Sequence, residues 1–362
     1  MNSRRNFLKN TGLSLAASTL PYSILARNIF VQRKLGVALV GLGYYSTDLL
    51  APALQLTQYC ELRGIVTGSP DKIPIWQRKY GIPDSNVYNY ENMVEIANNS
   101  DIDIVYIVLP NGLHKKYSIL AAEAGKHVWC EKPMAISVRE CEEMISSCKK
   151  NKVQLSIGYR MQHEPVTQKI IGWSKTQPFG RIKKIYAEAG FRSGGGNSSY
   201  WKFNPELGGG SMHDMGVYPL NAIRYVSGLE PIAVMAKSEN SRPAIFRVDE
   251  TMTFDLEFKN GLQAKGKCSF AEQINDLKVD CENGWYKIQP FQSYSGVRGR
   301  TSKGEELLPF KGNQQAKQMD DDTLAIINGT SPIVTGEEGM KDIRIVQAIY
   351  KSASNRGSRE II

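Results

Sequence analysis

Three residues in this 362-residue chain sit where a proton and a hydride could leave one carbon together. Lys132 belongs to Glu131-Lys132-Pro133, directly after the apolar run His127 to Cys130. That places it at the carboxyl end of a buried strand, the edge where open parallel sheets bind their ligands. Asp214 and Tyr218 stand four positions apart in Gly208-Gly209-Gly210-Ser211-Met212-His213-Asp214-Met215-Gly216-Val217-Tyr218, which leads into a helix through Tyr225, so they share a helix face. Hydride removal from a carbinol needs a base for the hydroxyl proton. A tyrosine serves if its pKa falls. An ammonium about 4 Å away, at an effective dielectric of about 20, offers about 4 kcal/mol toward the phenolate, which lowers a pKa of about 10 by roughly three. The plainer alternatives are a surface ion pair between Lys132 and Glu131 and a packed Tyr218. The strand before the lysine and the glycines before the tyrosine favour chemistry.

A nucleotide site accompanies them. Gly41-Leu42-Gly43-Tyr44-Tyr45-Ser46 follows the apolar run Gly36 to Val40 and opens a helix, the context a dinucleotide fingerprint requires. Gly41 and Gly43 allow a tight turn and close backbone approach to pyrophosphate, with Tyr44 and Tyr45 beside it and Ser46 in place of the third glycine or alanine. The helix start adds about half a positive charge toward the phosphates. After the next strand candidate comes Thr67-Gly68-Ser69-Pro70-Asp71-Lys72, without the carboxylate that normally holds the ribose of NAD. Small hydroxyl residues with Lys72 suit the 2′-phosphate of NADP, so NADP is favoured over NAD. His114 is expected on the cofactor side. His213 either contacts substrate or caps its helix. His127 and His163 have no constellation around them, and no metal-ligand spacing appears.

The elements that must position these residues read as an α/β protein of two domains, as the length implies. Strand candidates at 36–40, 62–67, 104–109, 127–130 and 153–157 alternate with helical stretches, including Val138 to Lys149. They give an N-terminal Rossmann-type doubly wound parallel sheet over 34–157. Beyond it the strands lengthen and alternate, as in Thr251 to Phe258, with hairpin signals at Asn260-Gly261 and Asn283-Gly284. Residues 158–362 are therefore expected to form a substrate and oligomerisation domain, α+β with a largely antiparallel open sheet. A tail helix runs from Gly336 to Ser354 with Ile343, Val346, Ile349 and Tyr350 on one side.

The net charge is +9, but Arg4, Arg5, Lys9, Arg27 and Arg33 precede every acidic residue. The rest is mildly basic and carries no nucleic-acid motif. Residues 1–33 read as a signal and short arm: Ser3-Arg4-Arg5-Asn6-Phe7-Leu8-Lys9 is a twin-arginine start before an apolar run too short to span a bilayer, with cleavage near Ala26. The expectation is a periplasmic enzyme, without stable membrane insertion, that folds around its nucleotide before export. None of the six cysteines has Cys-x-x-Cys or metal spacing, so most are expected to be buried small hydrophobes.

Taken together, these motifs resemble the Gfo/Idh/MocA oxidoreductases, most closely their glucose-fructose oxidoreductase branch. The resemblance runs from about Lys34 to the C-terminus. It rests on Gly41-Leu42-Gly43, Thr67 with Lys72, Tyr88-Asn89-Tyr90, Leu109-Pro110-Asn111 with His114, Ala124 to Ala135, Ile157-Gly158-Tyr159-Arg160, the Gly208 to Tyr225 segment, and Gly336-Glu337-Glu338-Gly339-Met340. It implies a tightly held NADP that oxidises one sugar to a lactone and then reduces a ketose in the same site. By position, Thr67, Lys72 and Tyr90 would surround the 2′-phosphate, with Gly68, Pro110, Asn111 and Glu131 also at the nucleotide. Lys132, Asp214 and Tyr218 would form the reacting cluster, and Arg160 and Trp201 would line the cleft near the nicotinamide. Self-association would use the C-terminal sheet. The chain departs from the commoner family pattern at Tyr218 and Asn221, and from the branch at His213 and in its short N-terminal arm. Two rival readings are an NAD-dependent glycosidase of the same superfamily, revealed by sugar release without net redox change, and a non-catalytic nucleotide or sugar sensor.

Overall fold

The computed structural model describes residues 33–194 and 200–362. The twin-arginine segment and the cleavage point near Ala26 lie outside the described residues.

The first sheet has six strands: β1 (Leu35–Val40), β2 (Cys60–Val66), β3 (Val87–Tyr88), β4 (Ile104–Ile107), β5 (His127–Cys130) and β6 (Leu155–Ile157). All pairs are parallel, in the order β3-β2-β1-β4-β5-β6. The chain reverses direction across the sheet between β1 and β4, and a crevice opens at such a point beyond the strands' carboxyl ends. The central strands β1 and β4 are apolar throughout because both of their faces are covered. Alternate side chains divide between two cores: Val37 and Leu39 join one, Ala38 and Val40 the other. The first is closed by α1 (Ala51–Leu54) and α2 (Ile73–Tyr80) through Leu54 and Trp76. The second is closed by α3 (His114–Glu123) and α4 (Val138–Lys150) through Tyr117, Ala121 and Met144. Ser137 caps α4 by accepting from the Glu140 N–H.

After α5 (Pro165–Thr176) comes a nine-stranded sheet, in the order β14-β13-β12-β11-β7-β10-β9-β8-β15. Its strands are β7 (Ile182–Gly190), β8 (Ala233–Glu239), β9 (Thr251–Glu257), β10 (Gln263–Ser269), β11 (Ile274–Cys281), β12 (Gly284–Ile288), β13 (Gly299–Thr301), β14 (Glu306–Leu307) and β15 (Glu360–Ile361). Every pair is antiparallel except β7 with β10. Both hairpin signals fall where expected, between β9 and β10 and between β11 and β12. One face of the sheet carries Ala187, Ala264 and Cys268 under α6 (Val217–Ser227), and the core there is continuous with the second core of the first sheet. The other face is charged, with pairs such as Lys265–Asp255 and Lys287–Asp276.

Two tail elements return to the first sheet. Ala316 and Met319 of α7 (Gln314–Asn328) pack on its first core, and α8 (Gly336–Ser354) is preceded by a bridge from Thr335 to Ser156 in β6. Residues of α7 thus complete the first core although they follow β14 of the second sheet in the chain. The six cysteines are unpaired, five of them buried, and burial pushes the Cys60, Cys141 and Cys148 thiols up to about 12. Among the described residues no helix is long and apolar enough to cross a membrane.

Candidate active site

A cleft of about 510 Å³ opens at the carboxyl ends of β1, β2, β4 and β5, with the segment around 200–218 and the loop carrying Tyr294 as its other wall. At the β1 end Gly41 has φ +92°, and a Cβ there would fall 2.4 Å from the Val108 carbonyl oxygen, so only glycine makes this turn. A Cβ on Gly43 would meet nothing within 4 Å, leaving backbone open to the cleft. Ser46 is buried and donates to the Gly41 carbonyl at 2.5 Å; the third fingerprint position thus holds the turn closed from inside. The helix begins as a wide π turn over Tyr45–Leu50, and its first N–H groups lack intrahelical acceptors. At the end of β2, Thr67 Oγ1 accepts from the Ser69 N–H, and Lys72 Nζ donates to the Leu42 carbonyl at 2.8 Å. Thr67, Ser69, Lys72 and Tyr90 line this end of the cleft, a set of hydroxyls and one cation with no carboxylate. Open backbone at a helix start, beside a pocket of hydroxyls and one cation, fits a nicotinamide dinucleotide.

At the other end the two halves meet. Lys132 Nζ donates to the Asp214 carbonyl oxygen at 2.8 Å, stands 4.0 Å from Asp214 Oδ1, and lies 4.3 Å above the centre of the Tyr218 ring. Asp214 sits in a second π turn, Met212–Gly216, so both helix starts facing the cleft are π-wide, as is common at functional sites. Asn111 Nδ2 ties the halves by donating to the Gly208 carbonyl at 2.7 Å. Burial pushes the Lys132 ammonium below the ordinary lysine range, with the Asp214 carboxylate opposing. Burial resists the Asp214 charge, but Lys202 and Lys132 together hold its carboxyl below the usual range. Burial raises the Tyr218 phenol; Arg160 opposes this, while Glu131 and Asp214 reinforce it. The expectation that Lys132 pulls Tyr218 toward neutrality is therefore corrected. The ammonium faces the ring and the Asp214 carbonyl instead of the phenol oxygen, and the site desolvates both groups.

Of the residues singled out in the sequence, Gly41, Gly43, Tyr44, Tyr45, Thr67, Lys72, Tyr90, Pro110, Asn111, Glu131, Lys132, Trp201, Asp214 and Tyr218 line this one cleft. Four are not part of its lining. Gly68 packs against the Tyr90 ring, where a Cβ would approach to 3.0 Å. His114 is fully buried, its two ring nitrogens 2.9 Å from the carbonyls of Pro133 and Leu109, so it joins the loops after β4 and β5 instead of facing a ligand. Arg160 is buried with its guanidinium 4.4 Å from the Tyr294 ring centre and hydrogen-bonded to Gln314. His213 lies against Tyr350, whose hydroxyl is 3.3 Å from Nδ1, in a network with Asp249 behind the helix start. Asp249 does the capping left open for His213: its carboxylate accepts from Ser211 Oγ and the Met212 N–H, both at 2.7 Å.

Three cleft residues had no signal strong enough to read. Lys202 Nζ bonds Asp214 Oδ2 at 2.8 Å; burial opposes its charge, but Asp214 and Tyr200 overcome this and raise its pKa. Its place beside Trp201 was the available hint. Tyr294 arrives from the loop between β12 and β13, and Tyr200 from the position just before Trp201. Among the described residues no three His, Cys, Asp or Glu side chains gather to hold a metal.

Comparison with known proteins gives the following. Residues 35–159 match the family profile described as oxidoreductase family, NAD-binding Rossmann fold, and residues 168–287 match the GFO/IDH/MocA C-terminal domain. Among solved structures, an aldose-aldose oxidoreductase from Caulobacter crescentus superposes with a TM-score of 0.87 at 37% identity, covering 91% of this chain and 100% of that one. A D-xylose 1-dehydrogenase [NADP(+)] of Haloarcula marismortui is 25% identical over 342 residues, covering 89% of this chain and 91% of its own length. A second D-xylose 1-dehydrogenase (NADP(+)), from Haloferax volcanii, is 26% identical over 321 residues, covering 86% and 94%.

Proposed function

The chain belongs to the Gfo/Idh/MocA oxidoreductases, and on that premise we propose that it passes a hydride between a sugar CH–OH group and a tightly held NADP, as in glucose-fructose oxidoreductase. One observation carries the reading: Lys132 from the first sheet meets Asp214 and Tyr218 from the second half, beside the glycine turn, in a single cleft. Bound nicotinamide supplies the carbon that takes up the hydride and returns it. Gly41 and Gly43 present backbone to the pyrophosphate, and Thr67, Ser69, Lys72 and Tyr90 receive the 2′-phosphate. The relatives named for NADP(+) support that choice of nucleotide.

In the reductive direction Tyr218, whose phenol holds its proton firmly, donates it to the carbonyl oxygen of the acceptor sugar. In the oxidative direction the hydroxyl proton returns to the Tyr218 phenolate left by the preceding reduction, a charge that the Lys132 ammonium 4.3 Å above its ring stabilises. Asp214, fixed by Lys202, keeps Lys132 in place through its backbone carbonyl. Trp201, Tyr200 and Tyr294 offer flat apolar faces to the sugar's C–H side. The name of the Caulobacter relative fits a reaction in which one sugar is oxidised as another is reduced.

Such an enzyme needs no external nucleotide pool. It suits export by the twin-arginine leader with cofactor aboard, and self-association through the nine-stranded sheet. The test is to purify the protein, identify the nucleotide that accompanies it, and follow reduced-nicotinamide absorbance while adding aldoses and then a second sugar. Absorbance should rise with the donor and fall with the acceptor. Sugar release without any such change would mean glycosidase chemistry, and a bound nucleotide that no sugar reduces would mean a sensor.

A further inference from the structure

Gly209 and Gly210 stand just before the turn that carries Asp214, yet neither lines the cleft. Gly210 has φ +115°, and a Cβ there would fall 2.3 Å from Asp249 Oδ1 and 3.0 Å from the Tyr350 hydroxyl. The backbone is therefore pressed against a carboxylate and a phenol that come from distant elements. Asp249 lies two residues before β9, and Tyr350 belongs to α8.

Asp249 is buried and holds the start of the turn by both its main chain and its side chain. Its carbonyl accepts from the Ser211 N–H at 3.0 Å, and its Oδ2 accepts from Ser211 Oγ and the Met212 N–H, both at 2.7 Å. Oδ1 accepts from the Tyr350 hydroxyl at 2.8 Å. His213 Nδ1 faces the Tyr350 oxygen at 3.3 Å and the Gly209 carbonyl at 3.4 Å. A carbonyl only accepts, so the ring proton sits on Nδ1, and the network runs from the turn through His213, Tyr350 and Asp249 back to the turn. A buried network with its donors and acceptors matched is stiff.

This anchor leads directly to the reacting cluster. The Gly210 N–H donates to the Lys202 carbonyl at 2.9 Å, and the Gly210 carbonyl accepts from the Asp214 N–H at 3.0 Å. Asp214 in turn offers the main-chain oxygen that holds Lys132 Nζ at 2.8 Å. We propose that Asp249 is a positioning residue for the cleft: with Tyr350 it fixes Gly210 to Met212, so that the Asp214 carbonyl stays in reach of the Lys132 ammonium. The placement of Lys132 stands on the geometry alone, while its consequence for turnover rests on the function proposed above. Misplacing a reacting group by about 1 Å can cost about 10²-fold in rate, so an anchor two residues from Asp214 bears on kcat.

The test compares Asp249→Ala with Asp249→Asn, each purified as the full chain with its nucleotide bound. Asp249→Ala leaves Ser211 Oγ, the Met212 N–H and the Tyr350 hydroxyl without their acceptor. Asp249→Asn keeps an oxygen for Ser211 and Met212 and turns its amide nitrogen to the Tyr350 oxygen. In Asp249→Ala, kcat per nucleotide-loaded site should fall about tenfold to thirtyfold with sugar KM within about twofold, and Asp249→Asn should return kcat to within about threefold of the parent. The crystal structure of Asp249→Ala should show Lys132 Nζ parted from the Asp214 carbonyl. A loss confined to melting temperature, with kcat per loaded site unchanged and Lys132 in place, overturns the proposal, as does an Asp249→Asn no better than Asp249→Ala. If Asp249→Ala does not fold, Ser211→Ala decides: it removes one donor and leaves the carboxylate, and a twofold to threefold fall in kcat at constant KM is expected, with no change as the overturning result. A displaced Lys132 in a protein that transfers hydride to no sugar would remove the sugar chemistry and leave the anchor standing.

Discussion

Two charged clusters lie a few residues apart on one helical stretch. At its start, Lys132, Lys202, Asp214 and Tyr218 border the cleft. Farther along, Arg224 is buried with Nη1 2.6 Å from Asp342, Nη2 2.8 Å from Glu338 and Nε 2.8 Å from Glu230, while Asn221 donates to the second Asp342 oxygen at 2.9 Å. The second cluster is saturated, since the guanidinium has a carboxylate on each nitrogen. Burial opposes the Arg224 charge, but Asp342 and the two glutamates overcome it and raise the pKa. In the first cluster two ammonium groups share one carboxylate, and the Lys132 ammonium is held mainly by a backbone carbonyl. Burial then wins at Lys132 and loses at Arg224. A fully paired cluster locks α6 to α8, whereas an underpaired one keeps a proton that can move.

Substitutions should separate the two clusters cleanly. The largest effect is expected from Lys132→Met, which should lower sugar turnover by about 10³-fold to 10⁴-fold with the melting temperature nearly unchanged. Steady-state kinetics beside a thermal melt would measure this, and a collapse of stability instead would mean that both clusters are structural. Arg224→Ala should do the opposite, costing about 3–5 kcal/mol in denaturant unfolding by stranding Asp342, while molecules that remain folded keep their turnover. Tyr218→Phe should lower turnover by about 10²-fold or more, and full retention would remove the phenol from the reaction.

A smaller change is expected at the far end of the cleft. Lys72→Ala should weaken NADP by about tenfold and leave NAD affinity nearly unaltered, as titrations of the two nucleotides would tell. The smallest is a pH effect. Burial resists the Glu230 charge, but Arg224 holds its carboxyl down to about 2. A depressed carboxylate contributes stability above its unfolded pKa of about 4.3, and that contribution fades as pH falls toward 2. Glu230→Gln should therefore flatten the acid arm of the stability curve, modestly because the side chain is half exposed.

Much of the fold was legible because local pattern and burial agree. The apolar runs at β1, β4 and β5, the Asn-Gly turns at Asn260 and Asn283, and the capped helix Gly336–Ser354 each carry their own signal. The glycine turn and Lys132 were legible for the same reason, each being bound to the end of a strand. Lys202 and Tyr294 were not, because nothing near them in the chain says that they turn toward Asp214 and Tyr218. His114 misled by type: a histidine in a cofactor loop reads as a ligand group, yet both of its nitrogens face backbone carbonyls instead of the cleft.

The residues by themselves determined the two-part α/β architecture, the nucleotide turn and the family, since these depend on short-range periodicity and on residue types that only certain turns admit. Tertiary structure decided which way the Lys132 ammonium points, that Asp214 serves two lysines, and that Asp249 caps the helix start. It also decided that burial lifts the Tyr218 phenol. Charge states of this kind are set by desolvation and by partners brought from distant segments, and neither quantity exists until the chain has packed.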